Sequence, residues 1–174
     1  LGTGTGANNG GTYNLSVQWS IIAEGLSRSY HPKGEHSKGS ILNGTGGISI
    51  HHSLYAHNAS RNARVDTVVL DFRNNILYDW GYRGGYTTRG PSYINYINNY
   101  FEAGPTTKTS VRTLVFEPGD DAPRLYFSGN VLKGEAEQTE NNRLLINAKT
   151  GFEKEALLDV VTVDQPFIVP TVQT

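Results

Sequence analysis

Cysteine and methionine are both missing from this sequence. The first absence removes disulfides, thiolate metal sites and a cysteine nucleophile in one step. It leaves the compartment open, because secreted and intracellular proteins can both do without cysteine. An excess of one charge is lacking too: 15 Lys and Arg stand against 16 Asp and Glu, a net charge of -1. Such a balance gives no overall grip on nucleic acid or an anionic membrane, although a local basic patch is still allowed. No apolar run approaches the roughly 18 residues that a membrane span needs. The sequence starts at Leu1 without a basic stretch and apolar core, so a leader is cleaved, lies outside this sequence or was never made. What is present is a folding composition, 37% apolar and 18% charged over 174 residues, which is room for one domain.

Glycine is abundant, at 20, and concentrated early. The opening run from Gly2 to Thr12 contains Gly-Thr-Gly-Thr-Gly, which superficially resembles a phosphate loop. No strand precedes it and no helix follows, so it reads as a linker or the remnant of a coil over residues 1–14.

From Leu15 a short β-prone phrase recurs, each time closed by a small polar residue and two bulky ones. Aligned on the small residue, the phrases give Ser20, Ser53, Asn75, Asn99 and Asn130, with steps of 33, 22, 24 and 31 residues. A base period near 22 with insertions in two steps is the mark of a solenoid. Alternation inside each phrase, with loops rather than helices between them, makes it a β-solenoid. The aligned Ser or Asn is expected at a bend, with its own backbone left-handed and its amide bonded to neighbouring coils. Ile22, Tyr55, Leu77, Phe101 and Leu132 are expected to stack in the core. The competing reading is a Greek-key sandwich with coincidental spacing. Residues 15–134 form the coils, and residues 135–174 form a last coil and a tail packed on the solenoid. Within the latter, Glu135–Arg143 reads as a solvated loop and Phe152–Leu158 as a short helix.

Two clusters carry the chemistry. One runs from Tyr30 to Leu42 and is rich in cations; the other runs from His51 to Val65. On successive coils Lys38, Arg61 and Arg64 would converge on one outer face, a surface suited to an extended polyanion. Polyuronic acids fit better than nucleic acid, since the cations are confined to one place. Zinc on His51, His52 and His57 is disfavoured, because adjacent strand residues point to opposite faces and no acidic partner is placed nearby. A serine nucleophile is disfavoured too, for want of a strained G-x-S-x-G turn.

The phrases His36–Leu42, Ile48–Asn58 and Arg61–Val65, followed by Asp71–Trp80 and Asn95–Gly104, together resemble the pectate lyases of polysaccharide lyase family 1. The resemblance covers roughly residues 15–134 in order and spacing. It implies a right-handed, single-stranded parallel β-helix that cleaves α-1,4-linked polygalacturonate by β-elimination with the help of Ca²⁺. The family's proton-abstracting arginine opens an R-x-P-R phrase, a place held here by Arg61. Its substrate-binding lysine sits in an H-x-K-x-x-L phrase, a place held by Lys38. Arg64 matches the second arginine, which binds substrate or braces the site. There are departures: Ala63 stands where the family has proline, and Asp66 where many members carry a further arginine.

The resemblance locates no calcium ligands; Glu24 and Glu35 are the nearest acidic candidates, and the remaining ligands are expected on further coils N-terminal to Leu15 in a longer protein of which this sequence is a fragment. A guanidinium acts as a base only with difficulty, since its free pKa exceeds about 12, so alkaline pH is expected to favour the reaction. The partner implied is a pectic polysaccharide, with no nucleic acid and no membrane, acted on by a secreted or periplasmic monomer. The alternatives are a polyuronate-binding solenoid without catalysis, a structural β-helix module, and a calcium-independent pectin lyase. Sequons begin at Asn14, Asn43 and Asn58, and a glycan on Asn58 would crowd Arg61.

Overall fold

Short alternating phrases cannot bury an apolar face alone, so each must lie against a copy of itself. In the computed structural model, which describes residues 1–4, 11–119, 123–147 and 161–169, they do so as parallel strands. The helix expected near Phe152–Leu158 lies outside the described residues. The first coil supplies β1 (Leu15–Gln18), β2 (Ile21–Ala23) and β3 (Ile41–Asn43). The second supplies β4 (Gly47–His51), β5 (Leu54–Ala56) and β6 (Arg64–Asp66), and the third β7 (Val69–Arg73), β8 (Ile76–Tyr78) and β9 (Gly85–Thr87). Then come β10 (Tyr93–Ile97), β11 (Tyr100–Glu102) and β12 (Phe116–Glu117), and finally β13 (Arg124–Ser128) and β14 (Val131–Leu132). Each turn of the solenoid visits three sheets: the first of β1, β4, β7, β10 and β13, the second of β2, β5, β8, β11 and β14, and the third of β3, β6, β9 and β12. The expected all-β parallel β-helix is therefore the fold.

Register puts like on like. Ile48, Leu70, Ile94 and Leu125 form one fully buried stack in the first sheet. In the second sheet Ile22, Tyr55, Leu77, Phe101 and Leu132 pair in that order, as the spacing predicts. Rings add to this inside the helix: Phe72 stacks on Tyr96 at 4.7 Å and Tyr96 on Phe127 at 4.9 Å. Each large side chain buried this way contributes about 1.5–3 kcal/mol.

The aligned polar residues form a continuous ladder along the bend between the first and second sheets. The Ser20 N–H donates to Ser53 Oγ at 3.2 Å, and Ser53 N–H to Asn75 Oδ1 at 3.0 Å. Asn75 N–H donates to Asn99 Oδ1 at 3.0 Å, and Asn99 N–H to Asn130 Oδ1 at 3.1 Å. The side-chain amides of Asn75, Asn99 and Asn130 meanwhile donate to the carbonyls of Ile50, Phe72 and Tyr96. One part of the expectation is corrected. The left-handed residue is the one before the rung, namely Trp19, His52, Asn74, Asn98 and Gly129. The bend is made there, and the rung residue is left free to aim its amide along the axis.

A second correction concerns Glu135–Arg143. Rather than a loop it forms α1 (Ala136–Glu140) and the start of a 3₁₀ turn, Asn142–Leu145. The reason is the ladder: Asn142 Oδ1 accepts from Asn130 N–H at 2.8 Å and continues it by one rung, while Leu145 and Ile146 enter the core. Charges in this stretch face solvent, as helix amphipathicity allows. Beyond it, Val163 N–H bonds Leu125 O at 2.9 Å, and the backbone of Phe167 exchanges two 2.9 Å bonds with the side chain of Asn95 on the first sheet.

Candidate functional site

The turn joining the second sheet to the third differs in length from coil to coil. It takes residues 24–40 in the first coil and 103–115 in the fourth, but only 57–63 and 79–84 in the second and third. Two short turns therefore lie between two long loops. Their residues are in axial register. Lys38 bridges Ser60 as a parallel pair, Tyr82 N–H donates to Ala59 O at 2.9 Å, Asn62 N–H to Gly84 O at 3.1 Å, and Lys108 N–H to Gly81 O at 2.7 Å. Lys38, Ser60, Tyr82 and Lys108 consequently occupy one line across four coils. The Lys38 ammonium donates to the Tyr82 hydroxyl and sits 4.7 Å from its ring centroid, and the Lys108 ammonium lies 5.7 Å from the same centroid. Arg83 is stacked 4.5 Å over Tyr86 and paired with Glu117 at 2.9 Å.

Arg61 lies on the floor between these groups. Its backbone is left-handed, with φ of 65°, held by Ser40 N–H donating to its carbonyl at 2.7 Å. Such a conformation in a residue with a Cβ is strained and needs surrounding structure to hold it. Gly39 makes that grip close: a Cβ there would come within 2.5 Å of Arg61 O. Two core tyrosines support the same floor from below. Tyr55 OH meets Ser40 Oγ at 2.9 Å, and Tyr96 OH donates to Asn62 O at 3.5 Å. Burial pushes both phenols far up, so they are neutral hydrogen-bonding posts. Arg61 Nε is buried and finds no hydrogen-bond partner.

The structure thus brings Lys38 and Arg61 together on adjacent turns. It places Arg64 on β6, where Nε and Nη2 both contact Asp66 Oδ2, at 2.8 and 2.6 Å. Asp66, at the place of the family's extra arginine, is buried and also accepts from Thr88 N–H and Oγ1.

The field on this face is positive. The His36 imidazole is held below its ordinary value first by burial, then by His31, Arg61, Lys38 and Lys33. Burial alone would raise the Tyr82 phenol, but hydrogen bonds from Lys38 and Ser60 and the charges of Lys38 and Arg83 outweigh it and lower the pKa. Sequence reasoning missed Tyr82, Arg83 and Lys108. The 22-residue period contained the signal, since one step from Lys38 reaches Ser60 and a second reaches Tyr82.

No group of three His, Asp or Glu side chains gathers to hold a metal among the described residues. Glu35 pairs with Arg28 at 3.7 Å, and Glu24 lies 3.8 Å from His57. Asp66, Asp71 and Asp79 are each held by internal partners. The described residues therefore do not fit a calcium ion. The histidines are also arranged differently from expectation. His51 and His52 converge, Nδ1 to Nδ1 at 2.9 Å, because His52 is left-handed and leaves the strand. His57 does have acidic partners, since its Nδ1 meets Asp79 Oδ2 at 3.0 Å. Asn58 is buried and spends its amide on Gly25 N–H and Ile22 O, so a glycan there is incompatible with this fold.

Asp79 fastens the long loop of the fourth coil, its Oδ1 accepting from Thr106 N–H at 2.7 Å and Thr107 N–H at 3.1 Å. Burial would raise this carboxyl, but the bonds from His57, Thr106 and Thr107 bring its pKa below the usual value. A depressed carboxyl contributes stability that is whole above the unfolded pKa, about 3.9, and is lost as pH falls through the folded one. Asp79→Asn is expected to cost about 1–3 kcal/mol at neutral pH and to flatten the loss of stability below pH about 4. Urea denaturation from pH 7 to 3 reads both. An unchanged acid limb would assign it to other carboxylates.

Among proteins of known family, no family model matches the chain. Curated fungal proteins do. A probable pectate lyase C of Aspergillus terreus is 34% identical over 154 residues, which is 87% of this chain and 34% of that protein. Its counterpart in Aspergillus fumigatus is 42% identical over 108 residues, 60% of this chain and 24% of the relative. That of Aspergillus flavus is 35% identical over 136 residues, 76% of this chain and 30% of the relative. The chain spans about a quarter to a third of the length of these relatives.

Proposed function

The chain belongs to the pectate lyase family, and from that premise we propose that it cleaves polygalacturonate by β-elimination on the face that carries Lys38 and Arg61. The observation that carries this reading is the set of cations contributed coil by coil to one face, Lys38 and Lys108 from the two long loops and Arg61 and Arg83 from the short turns between them. A polyuronate presents one carboxylate per sugar, and a row of cations is its natural counterpart.

The C5 proton of a galacturonate lies α to its carboxylate and is barely acidic. Lys38 has donors beyond the one spent on Tyr82, and these meet the carboxylate and stabilise the enolate-like charge as it forms. Arg61, held in its strained turn among other cations, removes the proton. Electrons from the C5–H bond form the C4–C5 double bond, and the C4–O bond breaks. Arg64, bound to Asp66, braces the floor from the third sheet.

Calcium is the ion the family implies, and no step above runs through it, because the described residues assemble no site for it. No helix among the described residues is long and apolar enough to cross a membrane, and we place the enzyme outside the cell, with its polymer. A second reading, a solenoid that binds polyuronate without cleaving it, is favoured by the lack of an assembled metal site among the described residues.

The test is the ultraviolet absorbance of the unsaturated uronate released from polygalacturonate, followed across pH with calcium and with chelator. Product is expected, in amounts that rise into the alkaline range. A pH optimum below neutrality would count against an arginine base. Product formed only with calcium would mean that carboxylates beyond the described residues hold the ion; product in chelator would mean that the cations alone neutralise the substrate. A folded protein that retains the polymer and releases no product would establish the binding reading instead.

A further inference from the structure

β-Elimination needs a proton donor as well as a base, because the departing sugar oxygen leaves as an alkoxide unless a proton reaches it. Neither Lys38, Arg61 nor Arg64 has been given that task. We propose that Tyr82 is the acid that protonates the leaving glycosidic oxygen; this rests on the lyase reading above and adds to it.

Three observations place Tyr82 there. Its hydroxyl accepts a hydrogen bond from the Lys38 ammonium, the group assigned to the carboxylate on the carbon next to the breaking bond's carbon. The phenol is also in axial register with Ser60, the residue before Arg61, so acid and base come from adjacent coils. Finally, the Tyr82 oxygen accepts from Lys38, so its own proton is not used in that bond and is free for another partner. The phenol is about two-fifths exposed, at 39%, which leaves it open to a polymer lying on the face.

Three cations and a hydroxyl surround it: Lys38 approaches from the first coil, the Ser60 hydroxyl bonds it from the second, Arg83 adjoins on its own turn and Lys108 approaches from the fourth. Phenolate is stabilised in such surroundings, and the depressed pKa of Tyr82 accords with a phenol that gives up its proton readily. Arg61 takes the C5 proton, the C5–H electrons become the C4–C5 double bond, and the C4–O electrons pass to oxygen. That oxygen takes the Tyr82 proton. Water then carries a proton from Arg61 back to the Tyr82 phenolate, and the enzyme is restored.

Tyr82→Phe keeps the ring under both lysines and removes only the hydroxyl. On polygalacturonate its kcat is expected to fall at least a hundredfold, with KM changed no more than a few-fold. On a galacturonic acid whose O4 carries a nitrophenyl group, which departs unaided, the loss is expected to shrink below about fivefold. A merely positioning tyrosine would lose the same factor on both substrates, and that result overturns the proposal. So does a Tyr82→Phe enzyme with wild-type kcat on the polymer. Failure of the wild-type chain to release unsaturated product from either substrate removes the lyase reading itself, and is distinguished by that control.

Discussion

Arg61→Ala is expected to slow cleavage of polygalacturonate by about a thousandfold while weakening its binding by less than tenfold. The rate factor is the middle of the range for a positioned base and corresponds to about 4 kcal/mol of transition-state stabilisation. The binding factor follows from the proposed cationic face, because Lys38 and Lys108 would remain to meet the polymer when Arg61 is gone. The split between the two measurements carries the test. Were Arg61 only one more cation in the row, its removal would raise KM and leave kcat alone. Arg61→Lys sharpens the comparison. It restores the charge without the guanidine or its reach, so binding recovers fully and the rate remains low. Single-turnover kinetics with saturating enzyme, alongside retention on immobilised polygalacturonate, separates these outcomes. Equal losses in both would return the site to a binding surface.

Asn99→Ala is the second large effect, and it concerns the fold. The substitution takes away the acceptor for the Asn75 N–H and side chain, and the donor to Phe72 O, all of them buried. Each buried group left without a partner costs about 1–3 kcal/mol, so a loss of about 3–5 kcal/mol is expected. That is a large part of the 5–15 kcal/mol that holds a typical domain. Ser20, at the other end of the ladder, is the control: its hydroxyl donates to Gln18 O at an exposed position, so Ser20→Ala should cost less than about 1 kcal/mol. Urea midpoints of the two variants give the answer. Equal costs would mean that the rungs act independently and that water replaces the missing amide in the interior.

The ladder was legible in the sequence because its rungs recur in chemistry as well as in spacing. Ser20, Ser53, Asn75, Asn99 and Asn130 are all short and polar, and each is followed two residues on by a bulky core residue. What the spacing could not say is which of two adjacent asparagines carries the left-handed backbone. Asn74 and Asn75 tolerate it equally, and only the direction of the amide decides. Asn142 escaped because the chain reaches it after twelve residues through a helix, well short of a full coil. The candidate face is legible in a different degree. Lys38 and Arg61 stand in phrases that resemble a known family. Tyr82 shares the line of Lys38 but not its chemistry: a serine and a tyrosine stand between Lys38 and Lys108. A period detects repeated residue types, whereas a binding face assembled from dissimilar side chains shows itself only once the coils are stacked. Asp66 was visible as a departure, but its burial and its hold on Arg64 depend on β6 and on Thr88 in the next coil.

The alternation of long and short turns has a consequence for how such a site can change. Parallel neighbours lie about 4.8 Å apart, and every coil adds one side chain to the line at that interval. The cleft is therefore a ruler graduated in coils. Because each coil touches only the ones beside it, a duplicated coil inserted between the third and fourth would lengthen the ruler by one mark while the chemistry at Arg61 stayed where it is. On the proposed function, the span of polymer gripped would be set by counting, and the reaction by the two turns that stay short.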